Sequence, residues 1–322
     1  MQDRGEELIK DRFEKDGTPK YFCAKKISIR RIEKKTFEQL SHEKYNEDLY
    51  SGKLLLILEN EQDLFIGSGE VEIKNDKQYL AFARIYSENH IVIPGSSLKG
   101  AIRIYLEALS PSCVSSDRDA CGKTEEPCPA CAIFGRQDYQ GRVFFKDAKL
   151  LKGNLNDNKE IIQRRPPWLS CRDRRFYYFE KPDIVHGRQD KERIEVVNKG
   201  AQFNFEIEFI NLLNWELGLL LLSMGLDDEH QKDFSLKIGG AKNRKCGKVK
   251  INLEKIDIIN KKEWLRKMIN GEVEKEEIKN AKTEFLNAYW KKCEEWGVKN
   301  QVEKIIQKFK SGAPNEKQKR AT

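Results

Sequence analysis

Four cysteines, Cys113, Cys121, Cys128 and Cys131, fall within nineteen residues, with seven, six and two residues between them. No other feature restricts the chain so tightly. The residues between them are mostly polar, so this stretch has almost no apolar content with which to fold by burial. Four thiolates match the tetrahedral preference of Zn²⁺, and an all-protein shell leaves no open position for water. The spacing points to a structural zinc site that staples a loop, with Cys128-Pro129-Ala130-Cys131 as its tight knuckle. The competing reading is a redox pair at Cys128 and Cys131, or thiols without metal. The remaining four cysteines, Cys23, Cys171, Cys246 and Cys293, are scattered over 322 residues. Residues Met1 to Glu7 are polar and lack the apolar stretch of a secretory signal. Clustered cysteines in such a chain favour metal over disulfides.

Hydrophobic period places the main elements. Leu54 to Leu58 is an apolar run of strand length, Gly67-Ser68-Gly69 punctuates it, and Tyr79 to Tyr86 alternates as a further strand. After Ile91-Val92-Ile93, a Pro94-Gly95-Ser96 turn opens a helix carrying Leu98, Ile102, Leu106 and Leu109. It should stop near Ser110-Pro111, since proline disfavours helix in the residue before it. Arg142 to Lys149 reads as a strand. Phe203, Phe205, Ile207 and Phe209 alternate strictly with polar residues, the clearest strand signal present. Asn214 is positioned to cap a helix with Leu217, Leu220, Leu221 and Met224 that ends at Gly225. Short strands at Ser235–Ile238 and Lys248–Ile258 bracket a glycine-bearing basic loop.

The order strand, helix, strand, insertion, strand, helix, strand predicts an α+β fold: two β-α-β halves in a ferredoxin-like or RNA-recognition-motif-like sheet with helices on one face. The boundaries read as a charged N-terminal arm over 1–52, a core over 53–258, and a helical extension with a solvated tail over 259–322. Within the arm, Lys25 to Lys35 carries six basic residues around Ile27, Ile29 and Ile32. Within the core, 113–131 is the cysteine loop. Residues 150–195 read as an insertion with one strand-like island at Arg175–Phe179. Trp264, Phe285, Tyr289, Trp290 and Trp296 are the packing anchors of the extension. No run approaches the about 20 apolar residues of a membrane span, so a soluble, cytoplasmic chain is expected.

Lys and Arg total 60 against 52 Asp and Glu, a net charge of +8. That excess suits a polyanionic partner, and equally suits an ion-pair-rich surface. Three basic segments sharpen the first reading. Ser96, Ser97 and Lys99 sit at a helix start, where free N–H groups and the helix dipole favour a phosphate. Arg103 lies four residues on, along the same face as Lys99. The spacing is not that of a Walker A loop, and the same residues suit an ordinary helix start. Gly239, Gly240 and Gly247 share a loop with Lys242, Arg244, Lys245 and Lys248. Glycine permits close backbone approach, and the cations neutralise phosphates; a solvated basic hairpin fits equally. Arg164, Arg165, Arg172, Arg174 and Arg175 interleave with Trp168, Phe176, Tyr177 and Tyr178. That mixture suits single-stranded nucleic acid, with rings under bases, or an insertion docked by its aromatics. Four scattered histidines and no G-x-S-x-G motif give no catalytic constellation.

Four segments in this order resemble the RAMP superfamily proteins of type III CRISPR effector complexes, and most resemble their backbone-type subunits. They are IPGSSLKGAIR at 93–103, CPACAIFG with GRVFFKDA at 128–148, FNFEIEFINLLNWELGLLLLSMGL at 203–226, and IGGAKNRKCGKVKI at 238–251. The resemblance spans about residues 53–258. It implies an RNA-recognition-like core with a thumb at 150–195 and zinc on the four cysteines. It also implies a role in antiviral defence: gripping a CRISPR guide RNA by its backbone while guide bases pair with target RNA, beside other effector subunits. By position, Ser96, Ser97, Lys99, Arg103, Gly239, Gly240, Lys242, Arg244 and Lys245 are the implied RNA contacts. Many backbone subunits also act as metal-dependent endoribonucleases on the target, using an Asp in a Gly-Gly-x-Asp-like loop. Here Ser68 to Asp76 lacks that pattern, with Asp76 the nearest candidate beside Glu70 and Glu72. Three readings stay open: an RNA grip, a target-cleaving subunit, and a terminal cap acting through protein contacts.

Overall fold

A computed structural model describes residues 9–13, 19–40, 42, 46, 49–74, 76–85, 90–114, 121–122, 125–162, 174–179, 191–258, 276–277 and 281–311. Strands β1 (Ile9–Phe13) and β2 (Pro19–Ala24) precede helix α1 (Lys34–Gln39). Next come β3 (Tyr50–Asn60), β4 (Gly67–Lys74), β5 (Lys77–Phe82), β6 (Arg84–Ile85), β7 (His90–Ile93) and α2 (Gly95–Leu109). The cysteine segment leads into α3 (Pro129–Phe134), then β8 (Gly135–Arg136), β9 (Tyr139–Gln140), β10 (Val143–Phe145) and β11 (Ala148–Lys152). Strands β12 (Leu155–Ile162), β13 (Arg174–Tyr177), β14 (Lys191–Val197) and β15 (Gln202–Leu212) follow, then α4 (Asn214–Ser223). The rest is β16 (Leu236–Lys237), β17 (Lys248–Ile258), β18 (Glu276–Glu277), α5 (Ala281–Trp296) and α6 (Lys299–Ser311).

The central sheet runs β16-β17-β3-β15-β11-β7-β6, with β10 also on β15 and β18 on β17. Its pairings are antiparallel. Register explains the core. Phe203, Phe205 and Ile207 of β15 lie opposite Leu58, Leu56 and Leu54 of β3, and Ile251, Leu253 and Ile256 of β17 lie opposite the same three leucines. The pleat puts these on one face, with a register shift between Leu253 and Lys255 that keeps Ile256 in step. Helix α2 buries Leu98, Ile102, Leu106 and Leu109, the stripe expected of a helix packed on a sheet. Helix α4 is buried throughout from Glu216 to Ser223.

A fully buried ion pair clamps these layers. The Arg142 guanidinium donates to the Glu216 carboxylate, to Ala132 O (3.0 Å) and to Asn211 O (2.6 Å). Glu216 also accepts from the N–H of Leu213 (2.9 Å). Glu216 and Asn214 thus both answer backbone donors at the start of α4, since Asn214 Oδ1 accepts from the N–H of Trp215 (2.7 Å), although the helix begins at Asn214 and its N-cap is Leu213.

A four-stranded sheet, β12-β14-β5-β4, a three-stranded one, β1-β2-β13, and the two-stranded β8-β9 are the other sheets among the described residues. Here the structure differs from the reading of 150–195 as insertion alone. Strand β12 pairs with β14, and Ile194, Val196 and Val197 of β14 are buried. Glu195, between them, masked this strand by its charge, yet its carboxylate is also buried, against Lys74 and Arg84. The N-terminal segment likewise packs rather than projecting: Tyr21 to Ala24 and Ile27 are buried, and Cys23 is disulfide-bonded rather than isolated. Toward the C-terminus, α5 and α6 bury Phe285, Leu286, Tyr289, Trp290, Val302, Ile305, Ile306 and Phe309. The ring of Phe309 meets Phe22, Tyr105, Phe176 and Phe234 at centroid distances of 5.8, 5.1, 4.7 and 5.0 Å. This aromatic cluster fixes β2, β13 and α2 against one another. Trp264 lies outside the described residues. Among the described residues no helix is long and apolar enough to cross a membrane.

Candidate functional site

The four cysteines converge. Their sulfurs all lie within 4.8 Å of one another, and all four side chains are buried. Cys113 Sγ is 3.5 Å from Cys131 Sγ and 3.6 Å from Cys128 Sγ. A tetrahedral ion with metal–sulfur bonds of about 2.3 Å sets sulfurs about 3.8 Å apart, so the cluster can hold a metal ion. Donors already point at the sulfurs, as anionic thiolates require. The N–H groups of Cys113 and Cys128 reach Cys128 Sγ and Cys121 Sγ at 3.4 Å. Arg31 Nη1 reaches Cys121 Sγ at 3.4 Å and Arg103 Nη2 reaches Cys131 Sγ at 3.7 Å. Hydrogen bonding within the cluster, from Cys113 first, holds the Cys128 thiol below its ordinary value.

Helix α2 divides the residues that the sequence grouped at its start. Ser96 and Ser97 are exposed. Lys99 Nζ turns back to Val143 O (3.1 Å), and burial, then the Arg103 charge, holds its ammonium below the usual lysine range. Arg103 donates to Glu107 (2.8 Å), to Gly135 O (3.0 Å) and to Cys131 Sγ. The helix start already has a carboxylate: Asp147 Oδ1 accepts from the N–H of Gly95 (2.8 Å). Only glycine fits there, since a Cβ on Gly95 would lie 2.2 Å from Phe145 O. Sequence reading missed Asp147, whose signal was its place two residues beyond the Val143–Phe145 strand.

The glycine loop lies on residues 63–65. Gly240 N–H donates to Phe65 O and Gly247 N–H to Asp63 O, both at 2.8 Å. Gly239, with φ of 78°, would set a Cβ 2.2 Å from Phe65 O. Lys242–Arg244 forms a 3₁₀ turn between left-handed Ala241 and Lys245. Lys245 is exposed, whereas burial holds the Lys242 ammonium below its ordinary range. Lys242 has no ion pair or hydrogen bond among the described residues. It lines a cleft with Ala101, Ile104 and Tyr105 of α2, Arg175 and Tyr177 of β13, and Lys237.

Among the described residues, three cations and no carboxylate line this cleft. Lys237 is anchored through Nζ to Tyr178 O (2.8 Å), and its N–H donates to the Tyr105 hydroxyl (2.7 Å). Arg175 lies over the Tyr21 ring at 4.5 Å. The structure thus brings together parts of three segments read separately: α2, the Arg-aromatic island and the glycine loop. Ser96 and Ser97 do not line the cleft, and neither do Lys99 and Arg103, which turn toward β10 and the cysteines. Arg164, Arg165, Trp168 and Arg172 lie outside the described residues.

Asp76, the nearest match to a cleaving aspartate, sits at the exposed tip of the β4–β5 hairpin with φ of 56°. Left-handed backbone suits Asp in a turn. Glu72 is drawn into ion pairs with Lys74 (3.6 Å) and Arg84 (3.5 Å).

No curated protein matches the sequence significantly. The sequence profile of the RAMP superfamily matches residues 57–298, from β3 through the cysteine centre and the cleft to the start of α6, and the chain therefore belongs to the RAMP superfamily.

Proposed function

We propose that this protein is a guide-RNA-binding subunit of a type III CRISPR effector complex, gripping the RNA backbone so that guide bases pair with target RNA. The observation that carries the reading is the cleft between α2, β13 and the glycine loop, with three cations and no opposing carboxylate among the described residues. Lys242 has no counter-charge there among the described residues. A partly desolvated ammonium is costly unless an anion completes the site. A phosphate does so without reading sequence. Gly239 and Gly240 keep the loop backbone low, Lys245 and Arg244 extend the basic surface, and Ser96 and Ser97 offer hydroxyls at the α2 start. Lys99 and Arg103 position α2 from within.

The strand order β17-β3-β15-β11, with α2 after β3 and α4 after β15, supports a ferredoxin-like, RNA-recognition-motif-like core over 53–258. The 150–195 segment is then its thumb, 1–52 its N-terminal segment and 259–322 its C-terminal extension. Zn²⁺ is the metal that four buried cysteine sulfurs favour; it would be held by Cys113, Cys121, Cys128 and Cys131 and would supply folding energy rather than reactivity. Partners are the guide RNA, the target RNA and other effector subunits, in the cytoplasm. Cleavage is not part of the proposal, since Asp76 occupies ordinary turn geometry.

The test is filter binding of single-stranded RNAs of unrelated sequence across a salt series. Lys242→Glu with Arg175→Glu is expected to weaken every RNA about equally, and the slope of log affinity against log salt should fall by about 1 per lost phosphate contact. Unchanged affinity would move the RNA site away from this cleft.

A further inference from the structure

The side chain of Glu107 is fully buried on α2, one helical turn beyond Arg103. Its Oε1 accepts from Arg103 Nε at 2.8 Å, and its Oε2 accepts from Arg174 Nε at 2.6 Å. Arg103 continues to Cys131 Sγ. Arg174 begins β13, whose next residue, Arg175, lines the cationic cleft. The charges therefore alternate without interruption: cysteine sulfur, Arg103, Glu107, Arg174. We infer that Glu107 is a positioning residue that couples the four-cysteine centre to the cleft, so that the metal content of the centre sets how firmly β13 is held.

The physical reason lies in the shared guanidinium. Arg103 divides its donors among Cys131 Sγ, Gly135 O and the Glu107 carboxylate. A bound ion would fix the four sulfurs in place, and its loss frees Cys131 Sγ to move. Arg103 is then no longer held from the cysteine side and shifts on the Glu107 carboxylate that it shares with Arg174. Strand β13 keeps its pairing to β2, in which Arg174 lies opposite Ala24 and Tyr177 opposite Tyr21, so it loosens without detaching. A few kilocalories of differential pairing are enough, since linked sites in proteins are commonly coupled about 5- to 150-fold.

The inference rests on the RNA-grip reading for its functional meaning, but its test contains no RNA. Hydrogen exchange is measured on the full chain before and after a chelator removes metal. Amides 174–177 are compared with amides 54–58 of β3. In the unmodified protein, chelation is expected to raise exchange at 174–177 about tenfold more than at 54–58. In Arg174→Gln, which cuts the chain on the cleft side and leaves Arg103 on Cys131, that excess should vanish. Glu107→Gln should behave the same way; Arg174→Gln carries the test if the buried substitution prevents folding. Equal increments in the two strands of the unmodified protein would mean general loosening and would overturn the coupling. An excess at 174–177 that survives in Arg174→Gln would overturn it too. Failure of RNA to bind, with these exchange results intact, would instead count against the RNA-grip reading alone.

Discussion

Cys128 ties together three of the four cysteines. It is fully buried, its Sγ is 3.6 Å from Cys113 Sγ, and its N–H donates to Cys121 Sγ. Replacing it with serine removes one metal ligand and one partner of Cys113. Cys128→Ser is expected to lose the stoichiometric zinc measured in the purified protein and about 4 kcal/mol or more of stability, the range associated with loss of a metal. Cys246→Ser is the control, since Cys246 is also buried but lies outside the cluster. Equal zinc content and equal melting temperatures in the two variants would rule out a metal at the four cysteines. This centre was legible because spacing and residue type alone specify it. Arg103 was not. Its place four residues after Lys99 marked it only as a basic residue on a helix face, and sequence does not show which way a guanidinium turns. In the folded chain it faces Glu107 and Cys131 rather than solvent.

At the scale of elements, α4 and α5 show how close packing sets what a position tolerates. A Cβ on Gly218 would lie 1.9 Å from Phe285 O and 2.9 Å from Tyr289 Cβ. Glycine inside a helix costs up to about 1 kcal/mol relative to alanine, so an alanine there would help an isolated α4. The obstacle is backbone on α5, however, and backbone cannot turn aside as a long side chain does. Gly218→Ala is expected to destabilise by about 1–3 kcal/mol, the usual cost of overpacking, and to expose α5 and α6 to limited proteolysis. An unchanged melting temperature with unchanged proteolysis would show that α5 yields freely. Elements whose period is strict were readable from the chain: Phe203 to Phe209 forms β15, and Leu98 to Leu109 forms the core face of α2. Strand β14 was not, because Glu195 interrupts its apolar run and looks solvated until Lys74 and Arg84 are brought to it by other strands. The cleft was half legible. Each of its basic segments could be named, but their convergence depends on an aromatic cluster drawn from α6, β2, β13 and α2.

The response of the whole molecule to acid follows from the same buried carboxylate. The Glu195 side chain, on β14, is fully buried. It accepts from the N–H of Phe82 (2.9 Å), from Lys74 and from Arg84, joining the four-stranded sheet to β6 of the central one. Burial alone would raise its carboxyl. The hydrogen bonds from Lys74, Phe82 and Arg84 outweigh that and leave it below the ordinary carboxylate value. The folded value therefore lies under the unfolded one, so the stabilisation is complete above the unfolded value of about 4.3 and is lost as pH falls through the folded value. Acid also increases the positive charge of a chain that already carries +8 at pH 7, and repulsion then destabilises any compact form. Comparing Glu195→Gln with the unmodified protein largely cancels that common effect. The variant removes the buried carboxylate and leaves Lys74 and Arg84 with the more distant Glu72 (3.6 and 3.5 Å), an expected loss of about 3 kcal/mol at pH 7, the lower end for a broken buried pair. That difference should narrow as urea unfolding is repeated below pH 4, because the unmodified protein is then losing the same charge by protonation. Two stability curves that stay parallel down to the acid transition would show that Glu195 does not report the protonation on which the junction of the two sheets depends.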